Sequence, residues 1–231
     1  MQQPDPNHPQ PHTGMFNLVS PVVIAICVVI LGLELVFWLA SRGVLFDPSL
    51  RINTVNNFAL SSAHFEWMMR NGVVPVDIAV RFVSYLFVHM GFTHAIFVCV
   101  ILLSMGKIVG DVLSPPRVLI VFMTSGIMGA LLYVSVSGGQ HWLMGGYPAV
   151  YGLIGTFTYF LWVTLQAVGD QAMKAFSLIA MLMALQLGFE LIFGGQNEWV
   201  ADLGGFAWGF LISPLVIPGG ITKLIEKIRR D

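Results

Sequence analysis

The chain has 231 residues, of which 56% are hydrophobic and 10% are charged, and its formal net charge is −1. A water-soluble domain carries about a quarter charged residues, so this composition, with a mean hydropathy of +0.80, excludes an ordinary soluble protein and indicates an integral membrane protein. The balanced charge also argues against nucleic acid as a partner, because phosphates are bound by a basic surface. Cys27 and Cys99 lie in apolar runs, which is typical of small buried side chains and not of a disulfide framework.

The first 17 residues form a polar, proline-rich segment without lysine or arginine. This composition predicts a disordered tail, and the missing basic region argues against a secretory signal. His8 and His12 have no neighbours that complete a metal site. Since the rest of the chain also lacks a cluster of metal ligands, we expect no metal and no other cofactor.

Six apolar runs follow, each near the roughly 20 residues that a helix needs to cross a bilayer. Lipid offers no partners to backbone N–H and C=O groups, so runs of this length are predicted to be helices. We expect an all-α membrane domain over residues 18–218 and a basic tail over residues 219–231. The predicted spans are approximately 20–40, 82–106, 118–137, 142–168, 175–195 and 199–218.

The connection between the first two spans is long and patterned. Asp47 followed by Pro48 is typical of a helix start. Apolar residues then recur at helical spacing, at Ile52, Val55, Ala59 and Ala63. We predict an amphipathic helix at the membrane surface. The alternative is a plain solvated helix, and Trp67 favours the membrane.

The basic residues of the short connections predict the orientation. On one side of the membrane the topology places Lys107, Arg117, Lys174, Lys223, Lys227, Arg229 and Arg230. The positive-inside rule makes that side cytoplasmic, so both termini are expected in the cytoplasm. The first connection opposes this with Arg42, Arg51, Arg70 and Arg81, and it receives less weight because it is long and partly structured. The short connections favour a bacterial inner membrane.

Ionisable residues within spans are costly and usually face the interior of the helix bundle. Glu34 and Glu190 are interpreted as partners in structural hydrogen bonds. His94, Tyr147 and Asp202 differ, because each lies within a few turns of the outer end of an even-numbered span. At about 1.5 Å per residue they fall at similar depth, which predicts one shared polar cavity.

Small residues predict close helix packing beside this cavity. Gly205 and Gly209 form a GxxxG pattern soon after Asp202, and Gly152 and Gly155 lie in the fourth span. Small residues let helix backbones approach each other in lipid. The pattern alone is weak evidence, and its value here comes from its position.

Three motifs in order resemble the rhomboid family of intramembrane serine proteases, over roughly residues 78–215. The stretch from Arg81 to His89, with His94 beyond it, resembles the start of the family's second core helix. Residues 145–155, Gly-Gly-Tyr-Pro-Ala-Val-Tyr-Gly-Leu-Ile-Gly, resemble its Gly-Ala-Ser-Gly-Ala-Val-Tyr-Gly motif. Residues 200–205, Val-Ala-Asp-Leu-Gly-Gly, resemble its Ala-His-Leu-Gly-Gly motif. The resemblance implies a six-span rhomboid-like bundle.

The chain departs from the family at the positions that carry its chemistry. The resemblance places the nucleophilic serine at Tyr147, the next glycine at Pro148 and the histidine base at Asp202. The asparagine that helps to hold the oxyanion falls on Val98. The positions that still match are His94, Tyr151 and the surrounding glycines.

These substitutions are predicted to abolish peptide cleavage. Acyl transfer needs a nucleophile and a base that takes its proton, whereas a phenol has an ordinary pKa of about 10 and a free carboxylate one of about 4. Pro148 has no N–H, and the loss of one oxyanion donor alone costs roughly 10²–10³ in rate. We expect Tyr147 instead to donate a hydrogen bond to Asp202, with His94 as a third partner.

The resemblance implies a non-catalytic role, since rhomboid pseudoproteases bind transmembrane segments of client proteins within the lipid membrane. The client-binding or structural cavity is predicted to comprise Arg81, His89, His94, Val98, Tyr147, Pro148, Tyr151 and Asp202. One alternative is an active protease with another nucleophile. Its candidate serines are Ser84, Ser104, Ser125, Ser135 and Ser137, with His89, His94 or His141 as the base. A small transporter is a third alternative, which the apolar cytoplasmic halves of the spans disfavour.

Overall fold

The computed structural model describes residues 19–138 and 141–218. The predicted tails, residues 1–17 and 219–231, lie outside the described residues. The described helices are α1 (Pro21–Ser41), α2 (Leu50–Phe58), α3 (Ser62–Asn71), α4 (Val76–Ser84), α5 (Phe92–Gly110), α6 (Pro115–Val136), α7 (Tyr147–Ala167), α8 (Ser177–Phe193) and α9 (Glu198–Val216). Strands β1 (Leu60–Ser61) and β2 (Trp142–Leu143) form a small antiparallel ladder, and 3-10 turns cover Tyr85–Phe87 and Ala172–Phe176.

Six helical segments within this described part are long and apolar enough to cross a membrane. They are α1, α5, α6, α7, α8 with the 3-10 turn before it, and α9. Short chain segments connect the last five, so these spans alternate in direction. The structure confirms the predicted all-α, six-span architecture.

The second span begins ten residues later than predicted, at Phe92 and not near residue 82. Residues 82–84 end α4, a 3-10 turn follows, and the backbone at Val88 and Gly91 is extended before α5 begins. The apolar run continues across this break, so hydrophobicity alone does not reveal it. The fourth span likewise begins at Tyr147, because residues 142–143 belong to β2.

The first connection contains three helices, α2, α3 and α4, where one amphipathic helix was predicted. Between α2 and α3, Leu60 pairs with Leu143 and Ser61 with Trp142, which ties the first connection to the segment before α7. The first helix begins at Leu50 and not at Pro48. The Asp47 carboxylate lies just before this helix and accepts a 2.7 Å hydrogen bond from the Ser49 N–H.

A buried ion pair joins the first connection to α1. Glu34 is 1% exposed, and its two carboxylate oxygens accept hydrogen bonds of 2.9 and 2.8 Å from Arg51 on α2. Arg51 also donates to the His89 carbonyl at 2.9 Å. Such bidentate contacts fix the relative orientation of the two side chains as well as pairing their charges. The interpretation of Glu34 as a structural partner is confirmed, with α2 supplying the donor.

Helices α7 and α9 pack with their backbones in contact. A Cβ atom at Gly205 would overlap the carbonyl oxygen of Pro148, and one at Gly209 would overlap the carbonyl oxygen of Gly152. A Cβ at Gly155 would overlap the carbonyl of Phe206 on α9. Only glycine permits this approach, which brings the two helix starts together.

We expect Gly209→Ala to destabilise the protein by about 1–3 kcal/mol, the usual range for overpacking a tight contact. The measurement is thermal unfolding of the purified protein in detergent. Gly188→Ala on α8 is the matched control, because a Cβ there meets nothing within 4 Å. Equal effects of the two substitutions would contradict the tight α7–α9 contact.

Candidate functional site

The predicted site residues gather at the end of the bundle where α5, α7 and α9 begin, which we call the site end. His94 lies two residues after the start of α5, Tyr147 is the first residue of α7, and Asp202 lies four residues after the start of α9. The alternating direction of the spans and the α7–α9 contact place these three starts together. The distance of each residue from the start of its helix therefore gives the level of the site in the bundle.

Three aromatic rings contact one another at this end. The Tyr147 ring lies on the His94 ring with centroids 5.0 Å apart and planes 20° from parallel. His94 in turn meets the fully buried His89 ring edge-on at 5.1 Å. Gly145, at a positive φ of 99°, makes room for the stack, because a Cβ there would lie 2.7 Å from the His94 ring.

His89 is held as a neutral ring. Its Nδ1 lies 3.3 Å from the Phe87 carbonyl, and its Nε2 accepts a 3.4 Å hydrogen bond from the Gly146 N–H. This pattern fits a proton on Nδ1 and a free lone pair on Nε2. Burial, with the neighbouring His94 second, lowers the pKa of His89 to about 4. His89 thus supports the backbone immediately before Tyr147.

The surroundings of Gly146 offer little to a developing oxyanion. The Gly146 N–H is directed to His89, and Pro148 has no N–H to offer. Val98 is fully buried, and its methyl group would lie 3.0 Å from a Cβ at Gly146. A methyl group therefore lines the position at which the family resemblance implies an amide side chain.

Asp202 is paired with an amide and not with the predicted tyrosine. Its Oδ2 accepts a hydrogen bond from Gln186 Nε2 on α8, and Asp202 itself is 2% exposed. Tyr151 donates to the other end of the same amide, Gln186 Oε1, at 3.3 Å. The predicted Tyr147–Asp202 hydrogen bond is wrong, because the Tyr147 ring turns toward His94. Sequence reasoning missed Gln186, although an uncharged polar residue in an apolar span was an available signal.

A cavity of about 250 Å³ opens beside this network, between the end of α8 and the start of α9. Its lining includes Gln186, Glu190, Glu198 and Trp199. Glu190 also accepts a 3.0 Å hydrogen bond from the Asn197 N–H, which links the last turn of α8 to the residue before α9. Gln186, the hydrogen-bond partner of Asp202, lines this cavity.

Arg81 lies apart from the other predicted site residues. Its guanidinium donates to the Asn56 and Ala59 carbonyls at 2.8 and 3.0 Å. It therefore fixes the end of α2 within the first connection. The structure brings together the other seven predicted positions. His89, His94, Tyr147 and Val98 lie in or beside the ring stack, and Tyr151 and Asp202 are hydrogen-bonded to Gln186. Pro148 is part of α7 and contacts α9.

Comparison with known proteins defines the family. The family model described as Rhomboid domain matches residues 77–219, more than half of the chain. The chain therefore belongs to the rhomboid family, which confirms the resemblance drawn from three motifs. It is also similar to the protein named "Putative rhomboid protease YdcA" from Bacillus subtilis (strain 168). The two are 26% identical over 188 residues, which cover 81% of this chain and 86% of the relative.

We expect a double-mutant cycle to find coupling between Gln186 and Asp202. Gln186→Leu leaves a buried carboxylate without its donor, and hydrogen bonds to charged groups contribute about 1.5–3 kcal/mol. The cycle is Gln186→Leu with Asp202→Leu, followed by unfolding in detergent. The matched comparison is Tyr147→Phe with Asp202→Leu, for which we expect coupling near zero. A larger coupling for Tyr147 with Asp202 than for Gln186 with Asp202 would support the Tyr147–Asp202 hydrogen bond instead.

Acidification is expected to destabilise the protein through His89. A pKa depressed from 6.5 to about 4 in the folded state means that the unfolded chain binds the proton more readily. The stability contributed by neutral His89 is therefore complete above about pH 6.5 and is lost as the pH falls toward 4, by up to roughly 3 kcal/mol.

The measurement is the melting temperature between pH 7 and pH 4 for the wild type and for His89→Gln. Glutamine cannot titrate but offers an oxygen to the Gly146 N–H, so its profile should be flatter. The difference between the two profiles isolates His89 from the carboxylates that titrate in the same range. Parallel profiles would show that His89 does not carry the pH dependence.

Proposed function

We propose that this rhomboid-family membrane protein has no protease activity and binds transmembrane segments of other membrane proteins at its site end. The single observation that supports this most is the occupation of the two dyad positions. Tyr147 is stacked on His94, and Asp202 is hydrogen-bonded to Gln186. Both groups are engaged in structural contacts.

The chemistry of the pair supports an inactive site. A hydrolytic dyad requires a nucleophile hydrogen-bonded to its base, whereas Asp202 faces an amide here. Loss of nucleophile and base together costs on the order of 10⁶ in rate in serine proteases. Pro148 has no N–H, and Val98 lies where the family resemblance implies an amide side chain, which adds to this loss.

Three of the five candidate replacement serines are hydrogen-bonded to backbone carbonyls. Ser84, Ser104 and Ser135 donate to the carbonyls of Phe58, Val100 and Leu131. Ser125 and Ser137 have buried hydroxyl oxygens without a hydrogen-bond partner. Over residues 19–138 and 141–218, none of these five serines forms a hydrogen bond to a histidine. The active-protease alternative rests on the name of the Bacillus relative.

Client binding is supported by the position of α8 at the edge of the bundle. Leu185 and Leu187, which flank Gln186, are 59% and 44% exposed, and Leu191 is 89% exposed. A helix with this surface faces lipid and offers an apolar side to a second membrane helix. The cavity beside Gln186 would accept a polar or weakly helical part of that segment at the same depth.

We further propose that the protein lies in a bacterial inner membrane with both termini in the cytoplasm. The basic residues of the short connections support this orientation under the positive-inside rule. The similarity to a Bacillus subtilis protein supports a bacterial setting. Protease access to tags placed at each end of the chain, in spheroplasts and in inverted vesicles, tests the orientation.

The inactive site is tested with purified protein reconstituted with a model transmembrane substrate and a fluorophosphonate probe. We expect neither cleavage nor labelling, while an active rhomboid protease in the same vesicles cleaves the substrate. Ser→Ala variants of the five candidate serines accompany the assay. Cleavage that disappears in one of these variants would overturn the proposal.

Binding is tested by photo-crosslinking to defined membrane-spanning peptides in liposomes. The crosslinker replaces Leu187 on α8 and, in the matched control, Ile120 on α6, two side chains with similar exposure of 44% and 47%. We expect a peptide with glycine and a polar residue near its site-end terminus to crosslink at position 187 several times more than at 120. An all-leucine peptide should show no such preference. Equal crosslinking at both positions would contradict a binding face on α8.

A further inference from the structure

A groove of about 380 Å³ lies at the end of the bundle opposite the site end, where α7 and α9 end. Its lining is mostly apolar and includes Val112 beyond α5, Phe160 and Val163 on α7, and Pro214 and Ile217 around the end of α9. The lining residue Thr164 donates its hydroxyl hydrogen to the Phe160 carbonyl of its own helix at 2.8 Å. Val112 and Val163 are 46% and 42% exposed, so the described residues leave part of this apolar wall uncovered.

The polypeptide leaves α9 at this groove. Ile217 is a lining residue, and its backbone is extended with ψ at 140°, as a residue before proline prefers. Pro218 is the last described residue, and Gly219 and Gly220 follow it in the sequence. Proline cannot continue the helix, and glycine adopts turns that other residues avoid. The sequence therefore allows the chain beyond Gly220 to turn back toward the groove.

The sequence of residues 221–230, Ile-Thr-Lys-Leu-Ile-Glu-Lys-Ile-Arg-Arg, carries an amphipathic helical pattern. Its apolar residues recur at i, i+3, i+4 and i+7, at Ile221, Leu224, Ile225 and Ile228. At about 100° per residue these four share an arc of roughly 100°, and every charged residue of the segment falls outside it. A helix this short is unstable alone in water. The pattern therefore implies a surface that covers the apolar arc.

The short link to this segment favours the groove over other apolar surfaces. Only Pro218 and two glycines separate the lining residue Ile217 from Ile221. A short flexible link holds a segment near its site at an effective concentration on the order of millimolar. A helix from Ile221 to Ile228 extends about 11 Å, which is comparable with the roughly 8–10 Å between the axes of packed helices. The apolar arc is therefore long enough to cross from α9 to α7.

We propose that residues 221–228 of this chain dock in the groove as a short amphipathic helix. The four aliphatic side chains lie against Val163 on α7 and Val112 beyond α5, and the lysines and arginines face water and lipid headgroups. The docked segment packs across the ends of α5, α7 and α9, far from the site end. This contact is independent of the proposed client binding.

Disulfide crosslinking of the full chain in liposomes tests this docking. Val163→Cys in the groove is combined with Ile225→Cys on the apolar arc or, as the matched control, with Glu226→Cys on the polar face. The native Cys27 and Cys99 are buried and common to all variants. After oxidation with copper phenanthroline, a maleimide polymer counts the remaining thiols by gel shift. We expect the 163–225 pair to crosslink roughly fivefold more than the 163–226 pair, because neighbouring residues of a helix point about 100° apart.

A second control replaces the groove position. Leu211 on α9 is 66% exposed and lies outside the lining, so Leu211→Cys with Ile225→Cys should crosslink weakly. Equal crosslinking at positions 163 and 211, or of positions 225 and 226, would overturn the docking. Crosslinked dimers would assign the groove to the tail of a second copy and overturn docking within one chain.

The lipid composition separates the groove from the membrane surface as the site of this segment. A basic amphipathic helix binds a lipid surface through anionic headgroups. The crosslinking is therefore measured in vesicles of phosphatidylcholine alone and of phosphatidylcholine mixed with phosphatidylglycerol. We expect the preference for the 163–225 pair in both. Its loss in phosphatidylcholine alone would assign the segment to the membrane surface and overturn the docking.

Thermal unfolding in detergent gives a measurement without added cysteines. Ile225→Asn should lower the melting temperature by about 2–4 °C, because it places an amide on the apolar arc. Thr222→Asn on the polar face is the matched control and should leave the melting temperature unchanged. Equal melting temperatures of the two variants would overturn the docking.

Discussion

The arrangement of this protein depends on the contact between the backbones of α7 and α9. At each of the glycines 155, 205 and 209 a side-chain carbon would overlap a backbone carbonyl of the facing helix, and at Gly152 it would overlap the Ser125 side chain of α6. This contact brings Pro148 against α9 and so sets position 147 near position 202. Without it, positions 147 and 202 would still lie at the same end of the bundle but would not lie close together.

Three buried polar groups of this protein are each paired with a residue from a different part of the chain. Asp202 takes an amide from α8, Glu34 takes a guanidinium from α2, and His89 takes a backbone N–H from the segment before α7. Unpaired buried groups are expensive in a medium of low dielectric. Asp202 is therefore held by a partner from another segment of the chain, as Glu34 and His89 are.

Sequence reasoning predicted the spans and the depth of the site, because length, hydropathy and rise per residue determine both. It did not predict how each helix is rotated about its axis. Tyr147, His94 and Asp202 were correctly placed at one level, but the phenol faces imidazole and the carboxylate faces Gln186. The break before Phe92 was missed for a related reason, since apolar composition continues through a segment whose backbone leaves the helix.

The pairing of β1 with β2 has a consequence for the biosynthesis of the chain. Leu60 and Leu143 are partners across more than 80 residues, and the chain between them contains the second and third spans. A ribosome that has delivered only the first connection leaves the backbone groups of Leu60 and Ser61 without their strand partners. The β1–β2 ladder can therefore form only after two further helices have been synthesised, whereas the Glu34–Arg51 pair can form as soon as the first connection is complete.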